Sequence, residues 1–145
     1  MYDKYLITGA TGFLGRAVVE ELVHHDAQVR ALVLHNDPYI NLLPKEVHTI
    51  VGDVCDKNSL ADFFADADSR TCVIHCAGIV SVASRPGPKL YQVNVGGTWR
   101  ILRQCLAHDV GKLIHVSSVH AIPEKPEGCV ITESCDFSPG LVDGD

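Results

Sequence analysis

The sequence predicts an α/β fold: a doubly wound parallel sheet of about five strands in the order 3-2-1-4-5, flanked by helices. Three observations predict it. Short apolar runs alternate regularly with segments whose apolar residues recur at helical spacing. A glycine triplet stands where the first apolar run meets the first helical segment. The chain has 145 residues, 46% hydrophobic and 21% charged, which suits one domain with a real core. Strands alternating with helices imply right-handed βαβ units and hence a parallel sheet.

The elements follow in order. Residues 4–8 (KYLIT) form a short apolar run that stops at Gly9 and reads as a buried strand. Residues 15–24 form the first helix, with Leu14, Val18 and Leu22 at helical spacing and Glu20 and Glu21 on the other face. Residues 28–34 (QVRALVL) are the second strand, broken by Asn36-Asp37-Pro38 and followed by a weak helical turn through Leu43. Residues 47–51 (VHTIV) are the third strand, closed by Gly52-Asp53. Residues 58–65 make a short helix with Asp56 or Asn58 as N-cap. Residues 71–76 (TCVIHC) are the fourth strand, and a loop rich in Gly, Ser and Pro runs from 77 to 88. The longest helix spans 89–108. Leu90, Val93, Gly97 and Ile101 make one stripe on it and Val95, Leu102 and Leu106 a second. Residues 112–117 (KLIHVS) are the fifth strand. Residues 1–121 thus read as the folded domain, and 122–145, rich in Pro, Gly and acids, as an active-site loop or a loose tail.

Composition excludes several classes. The apolar fraction excludes general disorder. No uninterrupted apolar run approaches the roughly 18 residues of a membrane span, so no membrane partner is expected. With 12 basic and 18 acidic residues the net charge is −6, so the chain lacks the positive field that nucleic acid or anionic lipid would require. The first residues, Met1-Tyr2-Asp3-Lys4-Tyr5, carry no signal-peptide pattern, and a cytoplasmic protein is expected. Six cysteines without a CxxC pair read as small core residues rather than disulfides.

The chemistry is carried by Thr8-Gly9-Ala10-Thr11-Gly12-Phe13-Leu14-Gly15, between first strand and first helix. Gly9 permits the tight turn out of the strand. Gly12 has no side chain to block a diphosphate from the backbone. Gly15 lets the helix pack close to the sheet. The helix start adds unpaired amides, here those of Phe13 and Leu14, and a positive dipole end. In this strand–turn–helix context the pattern indicates a dinucleotide-binding, Rossmann-type domain.

The G-x-x-G-x-x-G spacing closely resembles the extended short-chain dehydrogenase/reductase family of the NAD-dependent epimerase/dehydratase type. Four further segments support the resemblance. Gly52-Asp53-Val54 with Asp56 is similar to the family's Gly-Asp-x-x-Asp after strand three. His75-Cys76-Ala77-Gly78 looks like its segment after strand four. Tyr91-Gln92-Val93-Asn94-Val95-Gly96-Gly97-Thr98 resembles its Asn-Val-x-Gly-Thr helix, and Val116-Ser117-Ser118-Val119 the strand-five end bearing the catalytic Ser.

The resemblance implies cofactor binding by Gly9, Thr11, Gly12, Phe13, Leu14, Gly15, Asp53, Val54, Ala77, Gly78 and Asn94. Asp53 would accept from the adenine amino group, and Ser118 would orient a small-molecule substrate's hydroxyl or carbonyl. It also implies a Tyr general base with a Lys four residues on, and hydride transfer to or from a nicotinamide. Here the chain departs from the family. Its four tyrosines are Tyr2, Tyr5, Tyr39 and Tyr91, and the residues four further on are Leu6, Gly9, Leu43 and Val95. The family's Tyr would fall near Asp145 or just past it, so the expectation is a cofactor-binding portion that does not turn over substrate. The rival readings are a noncatalytic NAD(P)-sensing module and a different α/β binder such as a methyltransferase-like domain.

The cofactor is NAD or NADP. An acid about 20 residues past the last glycine would mark NAD, and that neighbourhood is Leu34-His35-Asn36-Asp37. Asp37 could reach a ribose diol, and Arg16 or His35 could neutralise a 2′-phosphate. The absence of a dedicated Arg leans slightly to NAD. The remaining histidines read plainly: His24 and His25 as a solvated helix end, His75 and His115 as buried structure, His120 as a residue facing substrate. Cys72, His75 and Cys76 lack zinc spacing, so no metal is expected. Trp99 and the long helix's stripes read as packing. In the family that helix helps form a dimer, and a homo-oligomer is expected.

Overall fold

The computed structural model describes residues 2–81, 87–118, 121–123 and 125–135. Five parallel strands, β1 (Lys4–Thr8), β2 (Gln28–Val33), β3 (His48–Val51), β4 (Thr71–His75) and β5 (Lys112–His115), form one sheet of order β3-β2-β1-β4-β5. The predicted class and strand order are therefore the observed ones. β1 lies between β2 and β4, with Lys4 opposite Gln28 and Thr71 and Thr8 opposite Leu32 and His75. The chain reverses its direction of winding between β1 and β4, and side-by-side loops diverge there to leave a crevice.

Two apolar layers sandwich the sheet. On one face Ile7, Ala31, Val33, Cys72 and Ile74 pack with Val19 of helix α1 (Phe13–His24). On the other face Leu6, Leu32 and Val73 pack with Leu60, Phe63 and Phe64 of α2 (Lys57–Phe64), and with Ile101 and Cys105 of α4 (Thr98–Ala107). Alternation along a strand sends neighbours such as Leu6 and Ile7 to opposite layers. Asp56 caps α2: its carboxylate accepts from the amides of Asn58 and Ser59 and from the Ser59 hydroxyl, and these bonds hold its pKa below the ordinary value.

Several boundaries differ from the sequence reading. α1 begins at Phe13 rather than residue 15, because Gly12 already has the extended backbone of an N-cap. The weak turn after β2 is a 3-10 helix, Ile40–Leu42. The predicted long helix is not one α-helix. It runs as α3 (Pro88–Tyr91), a π-helical segment (Gln92–Gly97) and then α4. Its first stripe faces inward, with Gly97 and Ile101 buried, whereas Val95 and Leu106 of the second stripe are exposed.

Two expectations are corrected. Trp99 is 60% exposed and packs into no core layer. It stands on the outer face of α4, away from buried Ile101. His115 is exposed rather than buried, because β5 is the edge strand of the sheet among the described residues, with β4 as its neighbour. His120 lies outside the described residues. No helix is long and apolar enough to cross a membrane, and no group of His, Cys, Asp or Glu could hold a metal ion, both among the described residues.

Candidate functional site

A cleft of about 670 Å³ opens at the C-terminal ends of the strands. Its floor and walls come from four connections: Thr8, Gly9, Thr11 and Gly12 after β1; Leu34, His35 and Asp37 after β2; Gly52, Asp53 and Val54 after β3; Cys76, Ala77, Gly78 and Ile79 after β4. Lys89 and Val93 close it from the long helix. Most of the lining belongs to loops leaving the strand ends, which is where a doubly wound sheet binds ligands.

The glycine bend is set by contact. Gly9 has φ +68°, in the left-handed region, and a Cβ there would come within 2.7 Å of the Ala77 amide nitrogen. A Cβ on Gly15 would collide with the Gly9 carbonyl oxygen. The bend and the helix are therefore in backbone contact, and no other residue fits either place. The Gly12 amide donates to the Gly9 carbonyl at 3.1 Å, and the first helical bond runs from the Arg16 amide to the Gly12 carbonyl at 2.9 Å. The amides of Phe13, Leu14 and Gly15 precede that bond and have no helical acceptor. Phe13 directs its ring away into the open, 95% exposed. These three donors, at the positive end of a twelve-residue helix, suit a diphosphate.

Beside the bend, the Thr11 hydroxyl donates to Asp37 Oδ2 at 2.7 Å while Asp37 Oδ1 accepts the Tyr39 amide at 2.9 Å. Asp37 is thus fixed at the cleft edge. His35 also lines the cleft, whereas Arg16 lies 3.6 Å from Glu20, one turn along α1. Across the cleft, Asp53 Oδ1 accepts the Cys55 amide at 2.8 Å and Val54 packs against Gly97, where a Cβ would meet Val54 Cγ2 at 2.7 Å. Burial, then the Asp53 charge, push the Cys55 thiol pKa up, and its Sγ donates to the Gln92 carbonyl at 3.3 Å.

Asn94 does not line the cleft. Its side chain grips the backbone of Ile79, accepting from the Ile79 amide at 2.7 Å and donating to the Ile79 carbonyl at 2.9 Å. The side-chain amide thereby holds the loop after β4, which is a wall of the cleft. Ser118 follows β5 on exposed backbone, and its carbonyl accepts the Ala121 amide at 3.0 Å.

Comparison with known proteins now bears on this geometry. The profile of the NAD dependent epimerase/dehydratase family matches residues 5–140. The chain belongs to that family. Human 3 beta-hydroxysteroid dehydrogenase type 7 is 34% identical over 131 residues, which cover 86% of this chain and 35% of the relative. UDP-glucose 4-epimerase from Thermus thermophilus, solved in complex with NAD, superposes with TM-score 0.81 at 28% identity, covering 95% of this chain and 45% of that one. A short-chain dehydrogenase/reductase superfamily protein from Agrobacterium tumefaciens with bound NAD gives 0.74 at 29% identity, covering 94% and 39%. The chain therefore spans less than half the length of each of these proteins.

Within the epimerase/dehydratase family frame, the cleft residues divide by how recognisable they are in sequence. Gly9, Thr11, Gly12, Asp53, Val54, Ala77 and Gly78 are expected there and line it. Phe13, Leu14 and Gly15 stand behind the bend with only their backbone turned to use. Thr8, Ile79, Lys89 and Val93 line it without being singled out by any motif role. Thr8 and Ile79 adjoin motif glycines and are readable by position. Lys89 and Val93 reach the cleft only because the helix after the fourth strand crosses over it, which no local pattern records.

Proposed function

We propose that this chain is the dinucleotide-binding portion of an NAD-dependent oxidoreductase or epimerase whose substrate presents a hydroxyl or carbonyl. The supporting observation is the bend itself: Gly9 and Gly15 in backbone contact, with Gly9, Thr11 and Gly12 lining a cleft of about 670 Å³ at the start of α1. The residues present fit the cofactor. The α1 amides and Gly12 would hold the diphosphate, Asp53 and Val54 the adenine end, and Ala77 and Gly78 the middle, where small residues leave the backbone approachable. Asp37 would accept from a ribose diol, and its carboxylate would repel a 2′-phosphate, so NAD is preferred. When bound, the nicotinamide supplies a hydride acceptor or donor. Ser118 would orient the substrate oxygen. None of Tyr2, Tyr5, Tyr39 and Tyr91 has a Lys four residues on, so the 145 residues alone bind dinucleotide and turn over no substrate. The exposed face of α4 pairs with a second copy.

Titration calorimetry with NADH and NADPH tests this reading. NADH is expected to bind more tightly than NADPH, Gly12→Val to weaken both at least about tenfold by obstructing the amides, and Asp37→Ala to erase the difference. Absence of any dinucleotide binding, or steady substrate turnover by the chain alone, overturns it.

A further inference from the structure

His75 ends β4 beneath the cleft, 1% exposed, and lines no part of the cavity. It nevertheless carries a complete set of hydrogen bonds. Its Nδ1 lies 2.6 Å from Thr8 Oγ1 and its Nε2 lies 2.9 Å from Thr98 Oγ1. The neighbours decide which nitrogen holds the proton. The Thr98 hydroxyl donates to the Asn94 carbonyl at 2.7 Å, so toward His75 it can only accept, and Nε2 must carry the hydrogen. Nδ1 is then the acceptor, and the Thr8 hydroxyl donates to it. Thr8 Oγ1 in turn accepts the Ala77 amide at 3.2 Å. Asn94, whose carbonyl ends the series, clamps both backbone groups of Ile79 with its side chain.

The bonds therefore run from Ala77 through Thr8, His75 and Thr98 to Asn94 and back to Ile79. Both ends sit on one loop, and that loop is a wall of the cleft. From the Ala77 amide to the Asn94 carbonyl every donor points the same way, which only a neutral, Nε2-protonated imidazole allows. A charged ring would present two donors and strand the Thr8 hydroxyl proton.

We propose that His75 is a positioning residue for the nucleotide cleft: a neutral imidazole that ties the glycine bend at Thr8 and the π-helical segment at Asn94 to the loop carrying Ala77 and Ile79. The inference rests on the nucleotide reading for its effect on binding, and on geometry alone for the bond series. β1 and α4 face the ring with hydroxyls. β5 faces it with His115, whose ring stacks at 5.5 Å and 26°. Burial, with His115 as a lesser cause, pushes its pKa down to about 4, in keeping with a ring that stays neutral.

Two measurements on the chain test it. First, ¹⁵N NMR of the His75 ring is expected to show a protonated Nε2 and a bare Nδ1, unchanged from pH 7 to 5.5. An Nδ1-protonated ring, or titration near 6.5, overturns the proposal. Second, NADH affinity is compared across variants. His75→Phe keeps the ring and deletes both bonds, and about tenfold weaker binding is expected. His75→Asn places a carbonyl oxygen near the Nδ1 position and should recover most of the loss. Thr98→Val touches no cleft-lining atom and should weaken binding about threefold. Lower melting temperatures with unchanged affinity in the folded protein would make the role merely structural and overturn the proposal. Should the Phe variant not fold, Thr98→Val and the NMR measurement decide. If the unaltered chain binds no dinucleotide, the nucleotide reading fails instead. The NMR spectrum, with amide exchange at Ala77 in Thr98→Val, still decides the bond series: faster exchange supports it and unchanged exchange overturns it.

Discussion

β4 and β5 are neighbours paired residue for residue, Cys72 with Lys112 through His75 with His115, yet they occupy different environments. All five residues of β4 are buried, whereas in β5 only Leu113 is even half-buried. The contrast extends to the helix above: Ile101 and Cys105 sit in the core, while Val95, Trp99 and Leu106 are exposed. The two registers differ in what lies beyond them. β4 has β1 on one side and β5 on the other, and helices over both faces. Among the described residues β5 has a strand on one side only. Burial in a parallel sheet is thus conferred by neighbours and not by a strand's own hydrophobicity.

The comparison can be broken from its sealed side first. Gly15→Ala forces a Cβ into the Gly9 carbonyl, and a loss of about 3 kcal/mol in urea denaturation is expected, because backbone must move. Gly87→Ala, where nothing lies within 4 Å, is the control and should change little.

A smaller effect comes from pH. His75 titrates near 4 in the folded chain against an ordinary value of 6.5. As pH falls below 6.5 the unfolded chain takes up a proton that the folded chain refuses. Stability is therefore full above 6.5 and declines toward 4, by about 2 kcal/mol between pH 7.5 and 5. Urea melts at both pH values check this, and the decline should shrink in His75→Asn.

The open side should respond least in stability. Trp99→Ser is expected to leave unfolding free energy within about 0.5 kcal/mol, since the ring is mostly exposed. It should reduce self-association in sedimentation velocity. A large stability loss would show that Trp99 packs after all and erase the contrast between the two sides.

Legibility in the sequence follows the same division. The glycine bend is readable because its determinants lie within eight residues and each has one physical task. The strands are readable because buried strands are continuous apolar runs, and their order follows from the doubly wound pattern that the glycine bend resembles. Asp56 is readable as a cap from its position before an amphipathic segment. The exposure of His115 and Trp99 escapes the sequence because both sit in patterns that would be buried under a complete set of neighbours. The role of His75 is invisible for another reason: its partners Thr8 and Thr98 lie 67 and 23 residues away, so no window of sequence holds them together. The Thr11–Asp37 bond, 26 residues apart, is hidden in the same way. Asn94 matches its motif in identity, but its bonds to Ile79, 15 residues back, are not readable from that motif.

The π-helical segment Gln92–Gly97 has a consequence for how one helix serves two tasks. Such a segment holds an extra residue relative to an α-turn. Each residue of α-helix advances the chain by about 100° of rotation. Lys89 and Val93 meet the cleft, while Ile101 and Cys105 meet the core. The wide turn acts as a phase shifter between these two sets. Removing a single residue there would leave the core half in place and swing the leading half by roughly a quarter of a circle, turning Lys89 off the cavity without altering any other residue.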